Sequence, residues 1–114
     1  MSKKILRILP ALIWMGVIFY FSSRDTSGVA VSSNLRFAFF KSLHLIEYII
    51  LGILLYLAFL KYKFAIITGY FYAITDEIHQ SFMPHREARL TDSLIDLLGI
   101  LIGLFLIRCI LKKK

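Results

Sequence analysis

Four long apolar runs occupy most of this chain: Ile5 to Phe21, Leu43 to Leu60, Phe64 to Phe82 and Ser93 to Leu111. A helix needs roughly 20 mostly apolar residues, about 17 to 25, to cross the hydrocarbon of a bilayer, and each run falls in that range. Backbone N–H and C=O groups inside lipid must be satisfied within the segment, so such runs are helices by default. In a chain of 114 residues they leave no room for a separate soluble catalytic domain. Composition agrees: 18% of the residues are charged, against about a quarter in soluble domains. The expected architecture is all-α, a four-helix transmembrane bundle forming one domain over residues 1–114.

The formal net charge of +7 would suit a nucleic-acid partner, but its distribution argues for a topology signal instead. Lys3, Lys4 and Arg7 precede or open the first run, Lys61 and Lys63 separate the second from the third, and Arg108 and Lys112 to Lys114 close the chain. With both termini cytoplasmic, all of these lie inside, which matches the positive-inside rule. No nucleic-acid partner is expected. The acids, Asp25, Glu47, Asp76, Glu77, Glu87, Asp92 and Asp96, then all fall in the outer half of the membrane or beyond it.

Smaller signals fill in the frame. The spacer Lys61-Tyr62-Lys63 is a tight turn, which makes the second and third runs a hairpin. Phe37, Phe39 and Phe40 could anchor a short surface helix at the outer interface. Pro84 terminates the third run, and Thr91 or Asp92 caps the fourth. Gly99 and Gly103 are four apart, a small-residue face suited to close helix contact. Pro10 marks the start of the first helix or a mild kink in it. The basic start and apolar core of that run also fit a signal peptide, but the small-residue segment Gly28 to Ala30 lies far beyond the apolar core, so a retained helix is expected. Cys109 is the only cysteine, so there is no intrachain disulfide.

What such an apolar chain does with its polar residues is the functional question. Helical residues three or four apart share a face. Lys41, His44, Glu47 and Tyr48 follow that spacing on the second run, as do Asp76, His79 and Gln80 on the third, and Asp92 and Asp96 on the fourth. Glu77 is about 100° around from Asp76 and stacks with Gln80. At about 1.5 Å per residue, Glu47, Asp76 and Asp96 reach a similar depth, about one to two turns beneath the outer surface. An ionised carboxylate at mid-membrane costs at least about 2.5–3.5 kcal/mol on insertion scales. Three on three helices are tolerable if they face one another, so a polar pocket is expected at the outer face, with Arg86 and Arg89 at its mouth.

These residues resemble the pattern of the VanZ-like family of small bacterial membrane proteins. The likeness runs through "KSLHLIEYIILGILLY" and "TDEIHQSFMPHREARLTDSLIDLLG". The matching positions are Lys41, His44, Glu47 and Tyr48; Asp76, Glu77, Gln80, Pro84 and Arg86; and Asp92, Asp96 and Gly99. Phe21 to Ser23 also fits, while His85 stands where the family turn has a small residue. The resemblance implies a multi-pass protein of the bacterial cytoplasmic membrane, acting at the cell envelope in the setting of resistance to the glycopeptide teicoplanin. It does not imply a reaction.

Three readings of the polar set follow. As an acid–base site, Glu47, His44, Asp76, Glu77, Asp92 and Asp96 are the catalytic candidates. Carboxylates sharing a low-dielectric pocket push one another's proton affinities apart, and a histidine can shuttle the proton. Lys41, Tyr48, Gln80, Arg86 and Arg89 would bind a substrate such as a phospholipid or lipid-linked cell-wall precursor, the cations holding its phosphate. The alternative is non-catalytic binding of a lipid, a peptide or the glycopeptide. The third reading is a purely structural hydrogen-bond network, though such contacts contribute only about 0.6 kcal/mol each. His44, Glu47, Asp76 and His79 include metal-ligand types, but their spacing matches no recognised metal signature, so neither a metal nor another cofactor is expected.

Overall fold

The computed structural model describes residues 3–22, 33–80, 82 and 92–112, with side chains defined for these except at 22, 33–41, 80 and 92. The described residues form four helices: α1 (Lys3–Ser22), α2 (Ser33–Phe59), α3 (Tyr62–Gln80) and α4 (Asp92–Lys112). The helices α1, α2 and α4 each hold a stretch long and apolar enough to cross a membrane. The polar cluster in the last turns of α3 makes it less apolar, but its 19 residues still extend about 28 Å, close to the thickness of bilayer hydrocarbon.

Three details differ from the sequence expectation or sharpen it. The segment with Phe37, Phe39 and Phe40 is no separate surface helix; α2 runs unbroken from Ser33 for 27 residues. Helical hydrogen bonding simply continues through a stretch without Gly or Pro. Pro10 lies inside α1, several residues from its start. The turn into α3 is tighter than the Lys-Tyr-Lys spacer suggested. Leu60 adopts φ 62°, its N–H bonds back to the Tyr56 carbonyl at 2.6 Å, and α3 resumes at Tyr62. This is a left-handed helix cap built without glycine.

The contacts fix the helix directions. Leu45 and Tyr48 lie beside Gly99, and Ile49 beside Gly103, so α2 and α4 run parallel. Tyr48 meets Asp76, whereas Leu55 lies by Gly69, so α3 is antiparallel to α2. Helix α1 lies along α2 and α3. Its Trp14 indole N–H donates to the Glu47 carbonyl at 2.8 Å, and Met15 accepts a hydrogen bond from the Tyr72 hydroxyl.

Lipid is as apolar as leucine, so these helices associate by close packing and by internal hydrogen bonds. Helices α2 and α4 share the most extensive contact, and glycine makes it possible. A methyl group on Gly52 would lie 2.6 Å from the Ile100 carbonyl oxygen, and one on Gly103 would collide with the Ile49 carbonyl. The packing face expected at Gly99 and Gly103 is therefore present, with α2 as its partner. Ile18, Leu51, Leu55, Ala65, Ala73 and Ile100 complete the apolar centre.

Charge is segregated along the bundle. Lys3, Lys4, Arg7, Lys61, Lys63, Arg108 and Lys112 are all exposed and cluster toward one end, where α1 starts, α2 turns into α3 and α4 finishes. The acids with defined side chains, Glu47, Asp76, Glu77 and Asp96, lie toward the other end and are buried or half-buried.

Candidate functional site

The second half of α3 rests against both α2 and α4, and there the polar side chains meet. His44 comes from α2, Asp76 and Glu77 from α3, and Asp96 from α4. All four are buried, with Asp76 and Asp96 at 0% exposure. His44 Nε2 lies 3.3 Å from Asp76 Oδ2 and 3.1 Å from Asp96 Oδ1. On the opposite side of the ring, His44 Nδ1 faces Glu47 Oε1 at 4.0 Å, one helical turn along α2. The imidazole thus sits among three carboxylates contributed by three helices. Glu77 completes the group: one oxygen of Glu77, one of Asp96 and one nitrogen of His44 lie within 4.8 Å of one another.

Helical spacing accounts for part of this arrangement. His44 and Tyr48 are four apart on α2, with ring centroids 4.9 Å apart. The Tyr48 hydroxyl donates to Asp76 Oδ2 at 3.4 Å. Tyr48 is fully buried, so it props a carboxylate from below. Asp76 and Glu77 are adjacent and about 100° apart. Both reach the centre because α3 lies in the groove between α2 and α4, where a wide arc of its surface is covered. Ser93, buried at the start of α4, shares a hydrogen bond with Tyr70 of α3 at 3.4 Å.

Other expected members sit elsewhere. His79, on the α3 stripe with Asp76, stacks on Phe19 of α1 with ring centroids 3.9 Å apart, which fastens α1 to α3. Glu47 borders the group, its side chain 17% exposed. Arg86, Arg89 and the Pro84 turn lie outside the described residues, as do the side chains of Lys41, Gln80 and Asp92. Helix α1 contributes no ionisable group to the centre among the described residues, yet Trp14 and Met15 tie it to the helices that do. Their pairing depends on helix rotation, and no motif signals it.

Such a centre can hold and exchange protons or bind a cationic or hydrogen-bonding group. Several ionised carboxylates in so small and dry a space cost several kcal/mol each unless protons or cations balance them.

A family model described as VanZ/LLP1 matches residues 7–112, nearly the whole chain and every helix of the site. No curated protein and no solved structure gives a match.

Proposed function

The chain belongs to the VanZ/LLP1 family, and from that premise we propose that it acts in the bacterial cytoplasmic membrane on a lipid-linked or phospholipid substrate of the cell envelope. Glycopeptide resistance of the teicoplanin type is the physiological result. The observation that carries this reading is the His44 imidazole held between Asp76 and Asp96 inside an apolar bundle. A histidine touching two carboxylates can accept a proton and return it without a water intermediary. In this reading His44, Asp76, Glu77 and Asp96 handle protons, with Glu47 and Asp92 beside them. Lys41, Arg86 and Arg89 bind a headgroup phosphate, Gln80 adds a hydrogen bond, and Tyr48 positions Asp76.

The site's depth follows from a proposed orientation. The exposed basic end of the bundle suits the cytoplasmic face, by the positive-inside rule. The bundle then crosses four times with both termini inside, and its acidic centre lies near the outer headgroups.

The test is expression of His44→Gln, Asp76→Asn and Asp96→Asn in a susceptible bacterium, with teicoplanin susceptibility and the lipid mass spectrum as readouts. Loss of both resistance and an altered lipid, at unchanged protein level, is the expected result. Variants that protect as well as the parent would remove the reading. The full burial of Asp76 and Asp96 favours a second reading, in which the protein binds a lipid, a peptide or the glycopeptide without chemistry and the polar cluster is a recognition or structural network. There, resistance would fall with no altered lipid in any strain.

A further inference from the structure

We propose that His44, Glu77 and Asp96, with Asp76 beside them, bind one divalent first-row transition-metal cation between α2, α3 and α4. The sequence carries no metal signature because the donors come from three helices. In sites with metal–ligand bonds of about 2.0–2.2 Å, neighbouring donor atoms stand roughly 3.0–3.5 Å apart. His44 Nε2 stands 3.1 Å from Asp96 Oδ1 and 3.3 Å from Asp76 Oδ2. A Glu77 oxygen lies within 4.8 Å of donors on His44 and Asp96, and its longer side chain can close the remaining gap by a small torsional change.

The imidazole supplies an independent sign. His44 is only 6% exposed, and its Nε2 finds no partner at hydrogen-bonding angles among the described residues, although it is aimed into the carboxylates. Its Nδ1 faces Glu47. A neutral imidazole with its proton on Nδ1, toward Glu47, would present the Nε2 lone pair to the aspartates. A ligating histidine with a carboxylate behind its other nitrogen is the usual outer arrangement of metal sites. One imidazole with carboxylates selects cations such as Zn²⁺ or Mn²⁺ over Ca²⁺. The competing arrangement is an imidazolium pinned between two aspartates with no cation.

The inference concerns the centre on which the proposed function rests, but it stands or falls separately. Tag-free full-length protein in detergent micelles would be stripped with EDTA, loaded with Zn²⁺, dialysed and assayed for metal. One equivalent per chain is expected. In variants that keep their helix content by circular dichroism, His44→Gln and Asp96→Asn should weaken binding at least about 100-fold, and the positioning change Glu47→Gln about 10–100-fold. Pulsed electron paramagnetic resonance of the Mn²⁺-loaded parent should show coupling to an imidazole nitrogen, a readout that needs no variant to fold. Zn²⁺ retention no greater than in protein-free micelles, retention unchanged in a folded His44→Gln protein, or absence of the nitrogen coupling each overturns the proposal. Resistance that depends on Asp76 in metal-free protein would sink the cation and keep the function. A bound cation with no effect of Asp76→Asn on resistance would do the reverse.

Discussion

His44 Nε2 and Asp96 Oδ1 lie 3.1 Å apart although they belong to different, parallel helices. The contact needs α2 and α4 to approach closely, and the glycines at Gly52, Gly99 and Gly103 allow that approach. Backbone packing and the polar centre are therefore coupled.

Tyr48→Phe keeps the buried ring and removes the hydroxyl that donates to Asp76. The loss should be about 0.5–1.5 kcal/mol, the net worth of one hydrogen bond. Reversible unfolding in mixed detergent micelles measures it, and a variant as stable as the parent would show that the hydroxyl does not anchor Asp76.

Gly103→Ala places a methyl group against the Ile49 carbonyl, backbone that cannot rotate away. Overpacking of this kind costs about 1–3 kcal/mol, and the displaced α4 should carry Asp96 away from His44. Gly16→Ala is the control: nothing lies within 4 Å of a methyl group there, and alanine in a helix interior gains up to about 1 kcal/mol. Opposite shifts in thermal stability are expected for the two.

Leu60 holds φ 62°, a conformation that costs an ordinary residue about 1–2 kcal/mol. Leu60 is 52% exposed, so Leu60→Gly gives up little packing. A gain of up to about 1 kcal/mol is expected, since the flexibility glycine adds to the unfolded chain offsets part of the relief. A β-branched replacement, Leu60→Val, should lower the melting temperature.

Reporter fusions test the orientation. A cytoplasm-active reporter placed after Lys63 or at Lys114 should be active, and a periplasm- or exterior-active one at the same points silent. The reverse pattern would put the basic ends outside and move the acidic centre to the inner leaflet.

Much of the bundle was legible in the sequence because it depends on local properties. Apolar length marks the helices, since lipid leaves the backbone no partner but itself. The stripe through His44 and Tyr48 and the face through Gly99 and Gly103 follow from 3.6 residues per turn. The continuity of α2 through Phe37, Phe39 and Phe40 was harder to read, because an interfacial helix and the first turns of a longer one have similar composition. His79 shares helical spacing with Asp76, but the stripe is broad enough for one edge to face α2 and the other α1, and Phe19 takes it.

What the sequence determined by itself is that four helices form, that basic residues gather at one end, and that acids lie beneath the other. These are matters of composition and of position along a helix. Only the tertiary structure decided that His44 comes between Asp76 and Asp96, that Glu77 turns inward beside them, and that Glu47 stands behind the imidazole. Those contacts depend on how far each helix rotates about its axis and how closely its backbone approaches the next. A rotation of one residue, about 100°, would turn the same carboxylates into lipid.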